Sequence, residues 1–125
     1  MSQQYLTLDK IECYTVSHDM SNYVWDEVIG WDHFKKNTVG QQLVRSADSI
    51  SANISEGFGR YHKKDKIKFY RYAQGSLIET IDWIKKAESR KLIQGENLEH
   101  IKNEINKLPK AINSLIKYTN EKLKI

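Results

Sequence analysis

Leu98, Ile101, Ile105, Leu108, Ile112, Leu115, Thr119 and Lys122 follow one another at alternating steps of three and four. Seven residues per two turns is the seam of an α-helix packed against other helices, and no strand gathers such a set on one face. This helix is expected to open at Gly95 or Asn97, with Glu96, Glu99 and Glu104 toward its positive end and Lys117, Lys122 and Lys124 toward its negative end. Pro109 falls inside it and is expected to kink it, at a cost of roughly 3 kcal/mol.

Three further segments show the same period. Residues 64–92 place Ile67, Tyr70, Ala73 or Gln74, Leu77, Ile81, Ile84 and Ala87 or Glu88 on one stripe, while Phe69, Tyr72, Ile78 and Trp83 add a second apolar side. A helix with two apolar sides is expected to touch another subunit. Residues 39–61 align Val39, Leu43, Ala47, Ile50, Ile54, Phe58 and Tyr61, with Thr38 as the expected N-cap and Gln41 or Gln42 near the capping-box position. Beside that stripe, Ser46, Ser49, Ser51, Ala52 and Ser55 are small enough to let another helix approach, and Gly57 and Gly59 loosen the end. The first helix runs from near Asp9 to Val28 or Ile29, with Cys13, Val16, Met20, Val24 and Val28 inward and Gly30 as its stop. Residues 30–38 are then the longest connection, and Trp31 and Phe34 are expected to plug the end of the bundle.

One proline and six glycines in 125 residues leave too few turn formers for a loop-rich sandwich. Short connections imply antiparallel neighbours, so the expected fold is all-α: an antiparallel up-down four-helix bundle forming one domain over residues 1–125. A core of this size gains stability from association, which points to a homo-oligomer. Cys13 is the only cysteine, so no intrachain disulfide forms. The sequence MSQQYLTLDK shows no export signal, and no run of eighteen apolar residues occurs, so a cytoplasmic protein without a membrane span is expected.

The net charge of +4 conceals a division. Residues 1–34 hold one Lys and six acids, net −5, whereas residues 35–125 hold nineteen bases and ten acids, net +9. The densest cluster is Arg60, Lys63, Lys64, Lys66, Lys68 and Arg71, opposed only by Asp65 and interleaved with Tyr61, Phe69, Tyr70 and Tyr72. Bases among exposed rings suit RNA or DNA, the bases meeting phosphates and the rings stacking on nucleobases. Lysines near a helix N-terminus also oppose the macrodipole, a conflict that a bound anion relieves. The competing reading is a solvated first turn whose aromatics belong to the core.

Arg45, Asp48, Asn53, Glu56 and Arg60 recur along the second helix and can face Glu79 and Asp82 of the third. Acids and bases in near-equal number favour an ion-pair network that fixes helix register over acid–base catalysis. His18, His33, His62 and His100 fall in separate segments with no paired ligand at helical spacing, so no metal or other cofactor is expected. None of the serines lies in a GxSxG elbow, and EGFGR lacks the spacing and GK[ST] ending of a phosphate loop. No enzyme is expected.

TVGQQLVRSADSISANISEGFGR (38–60) and KFYRYAQGSLIETIDWIKKAESRKLI (68–93) resemble the four-helix-bundle family encoded by intervening sequences of bacterial 23S ribosomal RNA genes, also called the S23 ribosomal protein family. The family's QL-x-R-[SA]-A-x-SI-x-A-N-I-x-EG-x-GR stretch is met at Gln42, Leu43, Arg45, Ser46, Ala47, Ser49, Ile50, Ala52, Asn53, Ile54, Glu56, Gly57, Gly59 and Arg60. Its A-x-GSL-x-E stretch is met at Ala73, Gly75, Ser76, Leu77 and Glu79. The resemblance implies a ring-like homopentamer of four-helix bundles without catalytic activity. It also implies kinship with the accessory variability protein of diversity-generating retroelements, which binds nucleic acid. On that basis Arg45, Ser49, Asn53, Glu56, Gly57, Gly59, Gly75, Ser76, Glu79 and Trp83 are expected as helix and subunit contacts, and the partners as further copies of the chain, RNA or DNA, or another protein.

Overall fold

Four long helices carry the periodic segments: α1 (Glu12–Val28), α2 (Gln41–Phe58), α3 (Lys63–Ser89) and α4 (Gly95–Lys122). They are seen in a computed structural model that describes residues 6–124. Asp9 does not open α1, because residues Leu8–Lys10 form a 3-10 turn closed by the Lys10 amide on the Thr7 carbonyl at 3.0 Å. The α-helical ladder starts only after Ile11.

Residues 30–38 are largely helical rather than a long loop. Asp32 accepts the Lys35 amide at 3.1 Å, the N-cap bond that starts the turn His33–Lys35, and this bond holds its carboxyl below the usual carboxylate range. The turn widens into π-helix over Lys36–Gly40 and continues directly into α2. Thr38 is therefore not a cap; its hydroxyl donates back to the Phe34 carbonyl at 2.7 Å. Phe34 does not plug the bundle either, since the inserted turn leaves it 74% exposed, whereas Trp31 is half-buried against the core. A Cβ on Gly40 would lie 2.7 Å from Val28, so glycine is what lets the π-turn cross the end of α1.

Two short joints complete the chain, Gly59–His62 and Arg90–Gln94, and each reverses its direction. The end of α3 closes by the Leu92 amide on the Ala87 carbonyl at 2.8 Å, with Lys91 in the left-handed region at φ 59°. Cross-helix contacts confirm the antiparallel order: Arg45 meets Glu79, Ser49 meets Ser76 and Gly57 meets Tyr70, while Glu88 meets Lys102 and Lys63 reaches Asn120.

Around the bundle, α2 packs on α1 and α3, and α4 packs on the same two. Consequently α1 and α3 occupy opposite corners and run in the same direction, as alternate helices of an up-down bundle must. Met20 and Val24 of α1, Leu43, Ile50 and Ile54 of α2, Tyr70 of α3, and Ile101, Leu108 and Ile112 of α4 fill the centre with almost no exposed area. Pro109 is exposed, and α4 runs through it from Gly95 to Lys122. Among the described residues no helix is long and apolar enough to cross a membrane.

Candidate functional site

The motif of the second and third helices lies along the α2–α3 seam. Ser76 donates to Ser49 at 2.9 Å, and Thr80 donates to the buried Ser46 at 3.1 Å. Asn53 donates to the Ser49 carbonyl and hydroxyl at 2.9 and 3.0 Å. Outside this line Arg45 pairs with Glu79, which also accepts the Trp83 indole N–H at 3.1 Å. Both members of the pair are about half exposed, so the bridge is worth at most about 1 kcal/mol and acts mainly on register. The hydroxyls are small enough to bring the two backbones together and pair with each other where they meet.

Gly57 is the tightest point of the seam. A Cβ there would stand 2.7 Å from Tyr70 Cε1 and 2.8 Å from the Lys66 carbonyl oxygen. Tyr70 is thereby admitted to the core, 1% exposed, where burial pushes its phenol up to about 12. The Cys13 thiol is likewise pushed up to about 12 by burial, which keeps it protonated and inert at neutral pH. Gly59 and Gly75 do not share the role of Gly57. A Cβ at Gly59 meets backbone only at an ordinary 3.6 Å, and at Gly75 it meets nothing within 4 Å. Glu56 is on the outer side and pairs with Arg60 at 2.6 Å.

The basic cluster is split by the fold. Lys66 Nζ donates to the Phe58 carbonyl at 2.6 Å and Lys63 Nζ to the Asn120 carbonyl at 3.2 Å, so these two lysines satisfy the C-terminal ends of α2 and α4. Partial burial holds the Lys66 ammonium below its ordinary pKa. Arg60 is bound to Glu56 and lies 4.6 Å over the Phe69 ring. Arg71 donates to Gln74 at 3.0 Å yet stays exposed, as do Lys64 and Lys68. Two consequences follow. The conflict between lysine and helix dipole is relieved at neighbouring helix C-termini, and only Lys64, Lys68 and Arg71 remain as an outward basic line.

That line continues along the outer face of α3 through Gly75 to Ile78, which is 68% exposed, with Tyr72 beside it at 52%. At the opposite corner, α1 turns Glu12, Asp19 and Asp26 outward, flanked by the exposed Trp25 and Ile29. These α1 residues were not among the expected contacts. Their signal in the sequence is the repeat of an acid at every seventh position, which places all three on one stripe.

The sequence model of a family described as 23S rRNA-intervening sequence protein matches residues 9–114. The chain belongs to this family. The matched segment runs from the 3-10 turn well into α4, so 23S rRNA-intervening sequence membership extends to the first and last helices, which the quoted motifs do not reach. Among solved structures, a protein of unknown function from the S23 ribosomal protein family of Bacteroides thetaiotaomicron superposes with a TM-score of 0.74 at 24% identity. The alignment covers 84% of this chain and 98% of that one, and at this identity it shows a shared fold. No curated protein matches the sequence.

Proposed function

We propose that this 23S rRNA-intervening sequence protein is a non-enzymatic, cytoplasmic interaction module that assembles with copies of itself, a pentameric ring being the favoured form. The observation that supports it is the outer face of α3. In the middle of that 27-residue helix stands Gly75, where a Cβ would meet no other part of the chain within 4 Å, so packing inside the chain gives no reason for a glycine. Glycine there costs about 1 kcal/mol relative to alanine. The flanking Tyr72 and Ile78 expose apolar surface that the bundle leaves uncovered. A face that is both apolar and open at a glycine suits the close approach of another helix. Light scattering at micromolar concentration is the test: a mass several times 14.7 kDa is expected, and a mass near 14.7 kDa refutes self-assembly.

A second reading, RNA or DNA binding, is favoured by Tyr61 at 74% and Tyr72 at 52% exposure beside Lys64, Lys68 and Arg71. Three phosphate contacts give a salt slope of about −2 for a single strand. Replacing Lys64, Lys68 and Arg71 with Gln removes that slope if the face binds nucleic acid. Absence of salt-sensitive binding by the wild type in fluorescence anisotropy leaves a purely structural assembly or protein scaffold.

A further inference from the structure

We propose that self-assembly is heterologous: the basic outer face of α3 in one copy seats on the acidic outer face of α1 in the next. This rests on the self-assembly reading above and names the two surfaces that meet. Charge complementarity is the first support. Glu12, Asp19 and Asp26 form one exposed line on α1, and Lys64, Lys68 and Arg71 form one on α3. None of these six makes an ion pair among the described residues. Apolar exposure follows the same two faces. On the four helices and their caps, Trp25 and Ile29 belong to α1 and Tyr72 and Ile78 to α3, while α4 exposes only Tyr118 and α2 none.

Placement supplies the second support. The two faces lie at opposite corners of the bundle, so one copy offers both without either blocking the other. Because α1 and α3 run in the same direction, copies related by rotation about an axis along the bundle bring α3 of one beside α1 of the next in parallel. A contact between two different patches propagates head to tail and closes into a ring when the rotation permits.

Rotation alone keeps every residue at its own height, so contacts inside one bundle set the register. Val28 meets Gly40, Ser49 meets Ser76 and Gly57 meets Tyr70, which puts Glu12 level with Arg71 and Asp19 level with Ser76. An acid then meets a base, and the missing side chain at Gly75 gives the helices room to close beside Asp19.

The test compares four chains by analytical ultracentrifugation at low salt, with circular dichroism confirming that each is folded. Glu12→Lys with Asp19→Lys, and separately Lys68→Glu with Arg71→Glu, are each expected to weaken association at least tenfold. The chain carrying all four reversals is expected to reassemble as the wild type does, and an equimolar mixture of the two double variants to associate in strict alternation, which an odd-numbered ring cannot close. A wild type that sediments as a monomer overturns both the pairing and the self-assembly reading. An oligomeric wild type whose association survives either double reversal, or a folded fourfold variant that stays monomeric, overturns the pairing alone.

Discussion

Gly57→Ala and Gly75→Ala make the same chemical change, one in each of the two family stretches, and the structure assigns them opposite signs. In a helix interior the change ordinarily gains up to about 1 kcal/mol, because alanine loses less backbone freedom on folding. At Gly57 the new methyl would lie 2.7 and 2.9 Å from two ring carbons of Tyr70 and 2.8 Å from the backbone oxygen of Lys66. Carbon pairs rest at about 3.5–4.0 Å, so both helices must separate by a large fraction of an ångström. Tyr70 is 1% exposed and has nowhere to rotate, while the Lys66 carbonyl belongs to the first turn of α3. Overpacking of this kind costs about 1–3 kcal/mol, leaving a net loss of up to about 2 kcal/mol once the helix-propensity gain is subtracted. With a urea m-value of about 2 kcal/mol/M, the midpoint falls by up to about 1 M. Gly75→Ala has no atom to meet and should raise the midpoint by up to about 0.5 M on the same scale. Because Gly75 lies on the proposed contact face, that comparison belongs in the Lys68→Glu, Arg71→Glu background. A Gly57→Ala midpoint at or above that of its parent would refute the close-approach argument.

Alkaline pH should destabilise the bundle from about pH 9 upward. Burial raises Cys13 from 9.0 to about 12 and Tyr70 from 10.0 to about 12, so both groups ionise first in the unfolded chain. Their contribution is complete below pH 9 and declines at about 1.4 kcal/mol per pH unit per group as the pH rises toward 12. Urea midpoints measured between pH 7 and 10.5 should fall, and Cys13→Ala should delay the onset to about pH 10; a flat profile contradicts the assignment. The adjacent bases should also differ in kind. Lys66→Gln removes the side chain that caps α2 and is expected to cost about 1 kcal/mol, whereas Lys64→Gln should stay within about 0.5 kcal/mol. Equal shifts in thermal midpoint would contradict the division of the cluster.

Much of the bundle was legible in the periodic residues. The steps from Leu98 to Leu115 predict one buried face, and each of Leu98, Ile101, Ile105, Leu108, Ile112 and Leu115 is buried. The serines beside Leu43 and Ile50 predict a close helix contact, which Ser46 and Ser49 make with Thr80 and Ser76. Helix starts were less legible. Thr38 and Asp32 are both good caps by residue type, and the choice between them depends on where the chain leaves α1. Phe34 reads as core by type and becomes exposed because the inserted turn aims it outward.

The candidate site shows the same division at higher cost. Six bases within twelve residues read as one patch, since sequence distance cannot tell Lys63 from Lys64 or Lys66 from Lys68. In the bundle, Lys63 and Lys66 lie beside the ends of neighbouring helices and spend their charge on unpaired carbonyls, while Lys64 and Lys68 face solvent. By itself the sequence determined which residues share a helical face, because that follows from the fixed 3.6-residue turn. Tertiary structure alone decided what each face meets: it spent two lysines as caps, left Gly57 crowded and Gly75 open, and set the acidic and basic faces at opposite corners. Those outcomes depend on how helices cross and where they end, which local periodicity does not encode.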